Sequence, residues 1–187
     1  MFRTVALSIL ILLAAAIPSM SQQRCAASES RDVNLSVERD KSKHPFKVIV
    51  KPVGDELGRP ASHFKVDSHM RIGVWLTNQS TESILLPDII SEYRQYRLRL
   101  VKDGEEVAYR KGLCEQLVGL DKEFAGGSMG GGEFPSGYTA RVSLLNLNRW
   151  YEPLTAGHYK LTVERRFWFT KSLPAVESNT MSFEVVR

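Results

Sequence analysis

Long stretches of this sequence alternate apolar and polar residues with a period of two, and this pattern constrains the fold more than any other feature. Successive side chains of a β-strand point to opposite faces, so the alternation buries one face and leaves the other in water. The clearest segments begin at Phe46, Met70, Tyr96, Tyr159 and Met181. No segment has a comparable helical stripe, and the sequence therefore predicts an all-β protein.

The dipeptide Asp103-Gly104 marks the clearest hairpin. Asp-Gly favours the two-residue turn whose positive φ angles match the twist of the flanking strands. Folding the chain there places Leu100 opposite Val107 and Leu98 opposite Tyr109, so apolar side chains share one face. This register predicts an antiparallel pair within an antiparallel domain of about seven to nine strands.

Residues 154–161 narrow the predicted fold. Gly157 stands two residues before Tyr159, as in the tyrosine corner that precedes strand F of immunoglobulin-like domains, where the tyrosine hydroxyl bonds nearby backbone. Antibody domains carry a cysteine two residues after that tyrosine, and this chain has Leu161 there. We therefore predict a two-sheet immunoglobulin-like sandwich without the buried inter-sheet disulfide of antibodies.

The order of these landmarks resembles a family of small bacterial secreted domains of the proteinase-inhibitor-like (BsuPI) type. The similar parts are the strand ending at 74–78, the hairpin at 96–104 and the corner with Gly157 and Tyr159, within about residues 65–165. The resemblance implies a β-sandwich and suggests a secreted proteinase inhibitor. The glycine-rich insertion and the additional N-terminal strands depart from that pattern, so no functional residue is carried over.

The first twenty-one residues have the layout of a secretory signal peptide. Arg3 precedes an uncharged run over residues 5–17, Pro18 ends that run, and the small residues Ser19 and Ser21 follow. As a helix the run would measure about 20 Å, less than the roughly 30 Å of bilayer hydrocarbon. We expect cleavage, with a retained anchor as the alternative. We also expect no transmembrane segment in the mature chain and a secreted or periplasmic location.

The predicted organisation has three parts: a signal peptide at 1–21, a flexible tail at 22–31 and the sandwich at 32–187, with a glycine-rich loop at about 112–137. The two cysteines, Cys25 and Cys114, can form one disulfide in an oxidising compartment. Because Cys25 lies in the polar tail, the sequence leaves the bridged and the free forms open.

Residues 126–130 match the G-x-S-x-G pattern of serine hydrolases around Ser128. That pattern needs a strand before the serine and a helix after it, whereas Ser128 stands among five glycines. The four histidines show no metal-ligand spacing, and no phosphate-binding glycine loop occurs. We therefore expect no catalytic, metal-binding or cofactor-binding residues and no cofactor.

The candidate ligand surface consists of Arg97, Arg99, Arg166 and Trp168. Arg97 and Arg99 share the solvent face of one strand, so a basic stripe could meet an acidic partner, a polyanionic polysaccharide or an anionic lipid surface. The alternative is an ordinary charged face that keeps an exposed sheet unpaired. The net charge of +4 is small and scattered, which argues against a nucleic-acid partner.

These observations predict an exported, non-enzymatic binding or accessory module that engages another macromolecule, with a protein as the first expectation. A secreted proteinase inhibitor that presents a loop within residues 112–137 is one alternative. A hydrolase that uses Ser128 is a weaker one. The sequence does not determine the ligand or the oligomeric state.

Overall fold

The computed structural model describes residues 44–53, 63–87, 91–122, 130–167 and 173–187. The predicted signal peptide at 1–21, the tail at 22–31 with Cys25, and residues 32–43 of the predicted sandwich lie outside the described residues. So do Ser128 and Trp168.

The described residues form eleven strands, two α-helices and one 3₁₀ helix. The strands are β1 (Phe46–Val53), β2 (His63–Lys65), β3 (Arg71–Asn78), β4 (Ile84–Pro87), β5 (Tyr96–Lys102), β6 (Glu105–Glu106), β7 (Gly131–Phe134), β8 (Thr139–Asn146), β9 (Gly157–Arg165), β10 (Val176–Glu177) and β11 (Met181–Val186). The helices are α1 (Glu92–Gln95), α2 (Leu113–Lys122) and the 3₁₀ helix Leu147–Arg149.

Two larger sheets make up the fold. A three-stranded sheet has the order β1-β3-β8, and a six-stranded sheet has the order β2-β11-β9-β5-β6 with β10 also paired to β9. A short ribbon joins β4 and β7. All pairs are antiparallel except β2 and β11, which are parallel. The predicted all-β, antiparallel immunoglobulin-like sandwich is confirmed.

The alternation in the sequence fills one core between the larger sheets. In β9, Tyr159, Leu161 and Val163 are buried while His158 and Lys160 are exposed. Strands β5 and β11 and most of β1 and β3 behave in the same way, whereas a bulge between Arg141 and Ser143 interrupts the alternation in β8. One continuous hydrophobic cluster takes side chains from both sheets. The period of two therefore decides which residues enter the core and which face water.

The predicted hairpin is present with the predicted register. Asp103 has φ 50° and Gly104 has φ 94°, as a two-residue turn with positive φ angles requires. Val101 pairs with Glu106, and the next bond along joins the Val107 amide to the Leu100 carbonyl at 2.8 Å. The backbone hydrogen bonds between the two arms of this hairpin end at the pair of Leu100 and Val107.

Beyond that point, tyrosine hydroxyls replace the partner strand of β5. The Tyr109 hydroxyl accepts a hydrogen bond from the Leu98 amide at 3.1 Å and donates one to the Leu98 carbonyl. The Tyr151 hydroxyl donates to the same carbonyl at 3.0 Å. Side chains thus satisfy both backbone groups of Leu98.

The corner before β9 is closed by a local hydrogen bond. The Tyr159 hydroxyl donates to the Thr155 carbonyl at 2.7 Å, four residues upstream. Between them Gly157 has φ 153°, a backbone conformation that favours glycine. A side chain there would also meet Lys102, since a Cβ would lie 2.5 Å from the Lys102 Cε atom.

The segment predicted as a glycine-rich loop at 112–137 contains α2 and β7. Leu113 and Leu117, one helical turn apart, are buried against the core and hold α2 in place. β7 pairs with β4, and residues 123–129 lie outside the described part. The apolar pattern of this segment is short, because only Leu113 and Leu117, which span one turn of α2, are buried.

Arg165 is a buried cation at the end of β9, with 4% of its surface exposed. Its Nη1 atom donates a 2.6 Å hydrogen bond to the Tyr96 hydroxyl, and its Nε atom has no partner. The guanidinium also lies 5.5 Å from the ring centres of Tyr96 and Phe167. Burial lowers the pKa of Arg165, which the contact with Tyr96 partly opposes. No carboxylate contacts Arg165 among the described residues.

We expect Tyr159→Phe to lower the free energy of unfolding by about 1 kcal/mol, because it removes one hydrogen bond whose acceptor, at an exposed residue, can still reach water. Urea denaturation measures the change. Tyr138→Phe, at a tyrosine that is 52% exposed, is the control and should leave stability unchanged. Equal effects of the two substitutions would contradict a stabilising corner.

We expect Arg165→Met to leave the free energy of unfolding unchanged or to raise it by about 1–4 kcal/mol, because a buried charge without a carboxylate is replaced by an apolar side chain of similar length. Tyr96→Phe should lower it by about 1.5–3 kcal/mol, since the cation then loses its hydrogen-bond acceptor. Urea denaturation of both variants provides the measurement. A strong loss of stability in Arg165→Met would show that the guanidinium has a structural role we have not identified.

Candidate functional site

The predicted ligand surface is partly neutralised by helix α2. Asp121, in the last turn of α2, forms ion pairs with Arg97 and, at 2.6 Å, with Arg166. The Arg97 side chain is only 11% exposed and also donates to the backbone carbonyls of Tyr93 and Tyr96. Burial lowers the pKa of Arg97, and Asp121 opposes this effect. Arg97 therefore has a structural partner in this fold.

The other arginines of that surface also meet carboxylates. Arg166 lies 3.6 Å from Glu164, and Arg99 lies 3.4 Å from Glu106 on the neighbouring strand. The structure thus brings Arg97 and Arg166 together around one aspartate and leaves Arg99 in a separate exposed pair. Trp168, the fourth predicted member, lies outside the described residues.

Two further predictions depend on residues outside the described part. Cys114 lies in α2 and is not a free thiol. Cys25 is the only other cysteine of the chain, and their pairing stays a prediction because Cys25 is not described. The hydrolase hypothesis for Ser128 stays a prediction for the same reason.

A shallow groove of about 470 Å³ lies beside the tip of the β5–β6 hairpin. Its charged lining consists of two acidic residues, Asp103 and Glu184, and two groups of basic type, His158 and Lys160. Glu184 also lies 3.3 Å from His63 on the next strand. The mixed charge gives the groove no preference for an anionic or a cationic ligand. In the described part of the chain, no group of three or more His, Cys, Asp or Glu residues is placed to hold a metal ion.

The outer face of the three-stranded sheet has a different composition. Strand pairing sets its side chains in four rows: Lys47, Thr77 and Thr139; Ile49, Trp75 and Arg141; Lys51, Gly73 and Leu144; Val53, Arg71 and Asn146. Each row contains one cation. We call this surface the Trp75 face. Successive rows are two residues apart along each strand, so the four rows span about 20 Å.

Within the part of the chain that the structure describes, the Trp75 face carries positive charge that no carboxylate neutralises. The sequences of β1, β3 and β8 contain no Asp or Glu. None of its four cations, Lys47, Lys51, Arg71 and Arg141, is in an ion pair with any described residue. This is the opposite of the Arg97 surface, where each described arginine has a carboxylate within reach.

Trp75 lies across the middle of this face. Its indole covers Gly73, so that a Cβ at position 73 would come within 2.4 Å of the ring atoms Cη2 and Cζ3 and within 3.2 Å of Val53. Val53 is buried at this spot although it lies outside the main core cluster. The Lys51 ammonium is 5.5 Å from the centre of the Trp75 ring, a cation–π distance. Glycine at position 73 is what allows the ring to occupy this position.

Sequence reasoning missed the Trp75 face because its cations are far apart in the chain. Lys51, Arg71 and Arg141 belong to three strands and form a patch only through the β1-β3-β8 order. The one available signal was compositional, namely that three predicted strands contain basic but no acidic residues on their solvent faces.

No family model and no curated protein matches the sequence. Among solved structures, the CARDB domain of a Pyrococcus furiosus protein, solved in complex with di-metal ions, is similar at 10% identity with a TM-score of 0.34, over 75% of this chain and 87% of that one. The immunoglobulin-like assignment rests on the strand pairing of this chain rather than on that similarity. The resemblance to BsuPI-type domains stays a prediction.

The fold and the Trp75 face together define a β-sandwich with one cationic sheet face. Among the described helices, none is both long enough and apolar enough to cross a bilayer.

We expect Asp121→Ala to lower the free energy of unfolding by about 1–3 kcal/mol, because the largely buried Arg97 cation loses its ion-pair partner. The matched control is Glu106→Ala, which breaks an exposed pair and should change stability by less than about 0.5 kcal/mol. Thermal and urea unfolding of both variants measure the difference. Equal small effects would mean that α2 is held by Leu113 and Leu117 alone.

Proposed function

We propose that this protein is an exported, non-catalytic binding module that holds a negatively charged macromolecule against its Trp75 face. The observation that carries the proposal is the set of four cations that have no ion-pair partner among the described residues. A cation already paired with a carboxylate must give up that partner to bind a ligand, whereas these four cations have no carboxylate partner among the described residues to give up. The Trp75 face is therefore a better anion-binding surface than the Arg97 surface.

The shape of the surface supports a large partner. Small ligands bind in concave, mostly apolar pockets that surround them. The Trp75 face is one side of an open sheet about 20 Å long, so it can make many contacts only with an extended or broad molecule. Export is supported by the signal-peptide pattern at residues 1–21.

The alternatives from the sequence have less support. The proteinase-inhibitor alternative relied on a loop within 112–137, of which the described residues include α2 and β7. The hydrolase alternative relied on Ser128. Neither alternative gains a specific contact in the described part of the chain.

The test compares two matched variants, each of which removes two positive charges from one of the two larger sheets. Lys47→Thr/Lys51→Thr changes the Trp75 face, and Lys65→Thr/Lys160→Thr removes two exposed lysines from the six-stranded sheet. Binding of the mature protein to polyglutamate, polygalacturonate and phosphatidylglycerol vesicles is measured at low and high salt. We expect binding of at least one polyanion to weaken about tenfold in the first variant and to change less than about twofold in the second.

Added salt should weaken this binding, because screening reduces the attraction between exposed charges. An equal or greater loss in the Lys65→Thr/Lys160→Thr variant would place the contact on the six-stranded sheet. If the wild-type protein binds none of these three polyanions at low salt, and dextran sulfate does not bind either, the proposed function is wrong.

A further inference from the structure

We infer that the ligand of the Trp75 face is an acidic polysaccharide, a linear chain whose sugars carry carboxylate or sulfate groups. The inference rests on the proposed function, because it names the ligand class of the same surface. It follows from how aromatic, cationic and hydroxyl groups are arranged on the face.

The first element is the pairing of Trp75 with Lys51. A sugar ring has a face of C–H groups that packs well against an aromatic ring, and an acidic sugar adds a charged group at its edge. The Lys51 Nζ atom lies over the indole, 5.5 Å from the ring centre. A sugar that packs on the ring therefore displaces this flexible ammonium from the ring to the charged edge of the sugar. The combination of indole and ammonium matches both parts of one acidic sugar.

The second element is the repetition of charge along the sheet. One cation stands in each of the four rows, which lie about 7 Å apart, so the charges continue beyond the place that a single sugar would occupy. In the end row beside Lys47, Thr77 and Thr139 present two hydroxyl groups that are hydrogen-bonded to each other at 2.9 Å. Hydroxyl groups bind sugar hydroxyls, and repeated cations suit a polymer with repeated acid groups.

The third element is the fixed position of the indole. Because a Cβ at position 73 would come within 2.4 Å of the ring, Gly73 alone allows Trp75 to lie against the sheet in this way. A ring held before the ligand arrives loses little conformational freedom on binding. The indole is half-buried, so it does not protrude from the sheet as an aromatic side chain inserted into a lipid surface would. Among the large apolar side chains of the face, Leu144 is exposed, at 41%.

The composition of the face argues against an acidic protein as the partner. The core of a protein–protein interface is depleted of lysine and rich in apolar side chains. On this face two of the four cations are lysines, and the large apolar side chains that are not buried are limited to Ile49, Trp75 and Leu144. An acidic protein and an anionic membrane remain as outcomes of the test.

The experiment titrates the mature protein with polygalacturonate for carboxylates, dextran sulfate for sulfates, and neutral dextran as a control. Polyglutamate and phosphatidylglycerol vesicles are titrated at the same charge concentration. We expect one acidic polysaccharide to bind more tightly than polyglutamate and the vesicles, and neutral dextran to bind weakly or not at all. The preferred polysaccharide distinguishes carboxylate from sulfate recognition.

The decisive variant is Trp75→Leu, which keeps an apolar side chain and all four cations. We expect it to bind the acidic polysaccharide about tenfold more weakly while its binding to polyglutamate changes less than about twofold. Tyr138→Leu, which removes an exposed aromatic ring from outside the strands of the face, should bind like the wild type. If Trp75→Leu fails to fold, the indole N–H signal of Trp75 in the wild-type protein is followed by nuclear magnetic resonance instead.

The outcomes separate the inference from the proposed function. If polyglutamate or the vesicles bind more tightly than both acidic polysaccharides, the inference is wrong and the proposed function stands. The inference is also wrong if Trp75→Leu binds the polysaccharide as the wild type does, or if the Trp75 indole signal does not move at saturation. Absence of binding to every polyanion overturns both.

Discussion

The single hydrophobic core between the two larger sheets is the constraint on which the rest of the structure depends. It takes every second side chain of the long strands, and in doing so it turns the remaining side chains outward. Val50, Val74 and Leu76 are held inside, so their neighbours Lys51 and Trp75 have to face the other way. The chemistry of both outer faces is therefore a consequence of how the core is filled.

A comparison of the two outer faces shows that the number of cations on a surface does not by itself predict whether the surface binds an anion. Arg97 and Arg166 converge on Asp121, and together they fasten the end of α2 to the six-stranded sheet. On the three-stranded sheet, Lys51 and Arg141 have no such role toward the described residues. The same residue types thus hold the structure together on one side and leave charge available on the other.

The sequence predicts those parts of the fold that depend on residues close together in the chain. Alternation identifies the long strands, and the Asp103-Gly104 turn fixes the register of the β5–β6 hairpin. The strands β2, β7 and β10 have two to four residues, too few for alternation to be recognised, and their pairing depends on partners elsewhere in the chain. Tyr109 lies opposite Leu98 as predicted, but its hydroxyl rather than its backbone makes the contact, which periodicity cannot show.

The candidate site was predictable only in small part, for a related reason. Arg97 and Arg99 attract notice because they are close in the sequence, whereas their surface is neutralised by Asp121, which follows Arg97 by 24 residues. The cations of the Trp75 face are separated in the sequence and meet only through strand order. Whether a basic residue is paired is a property of the tertiary structure, and the local density of arginine and lysine does not report it.

The two tyrosine hydroxyls at Leu98 bear on how copies of this protein behave when they are crowded together. An open sheet edge offers unpaired amides and carbonyls, through which a second chain can add and fuse the sheets. At Leu98 both groups are already occupied by Tyr109 and Tyr151, so an incoming strand finds neither donor nor acceptor at that position of β5. At high local concentration, copies of this protein are therefore blocked from merging their sheets at this position of the edge.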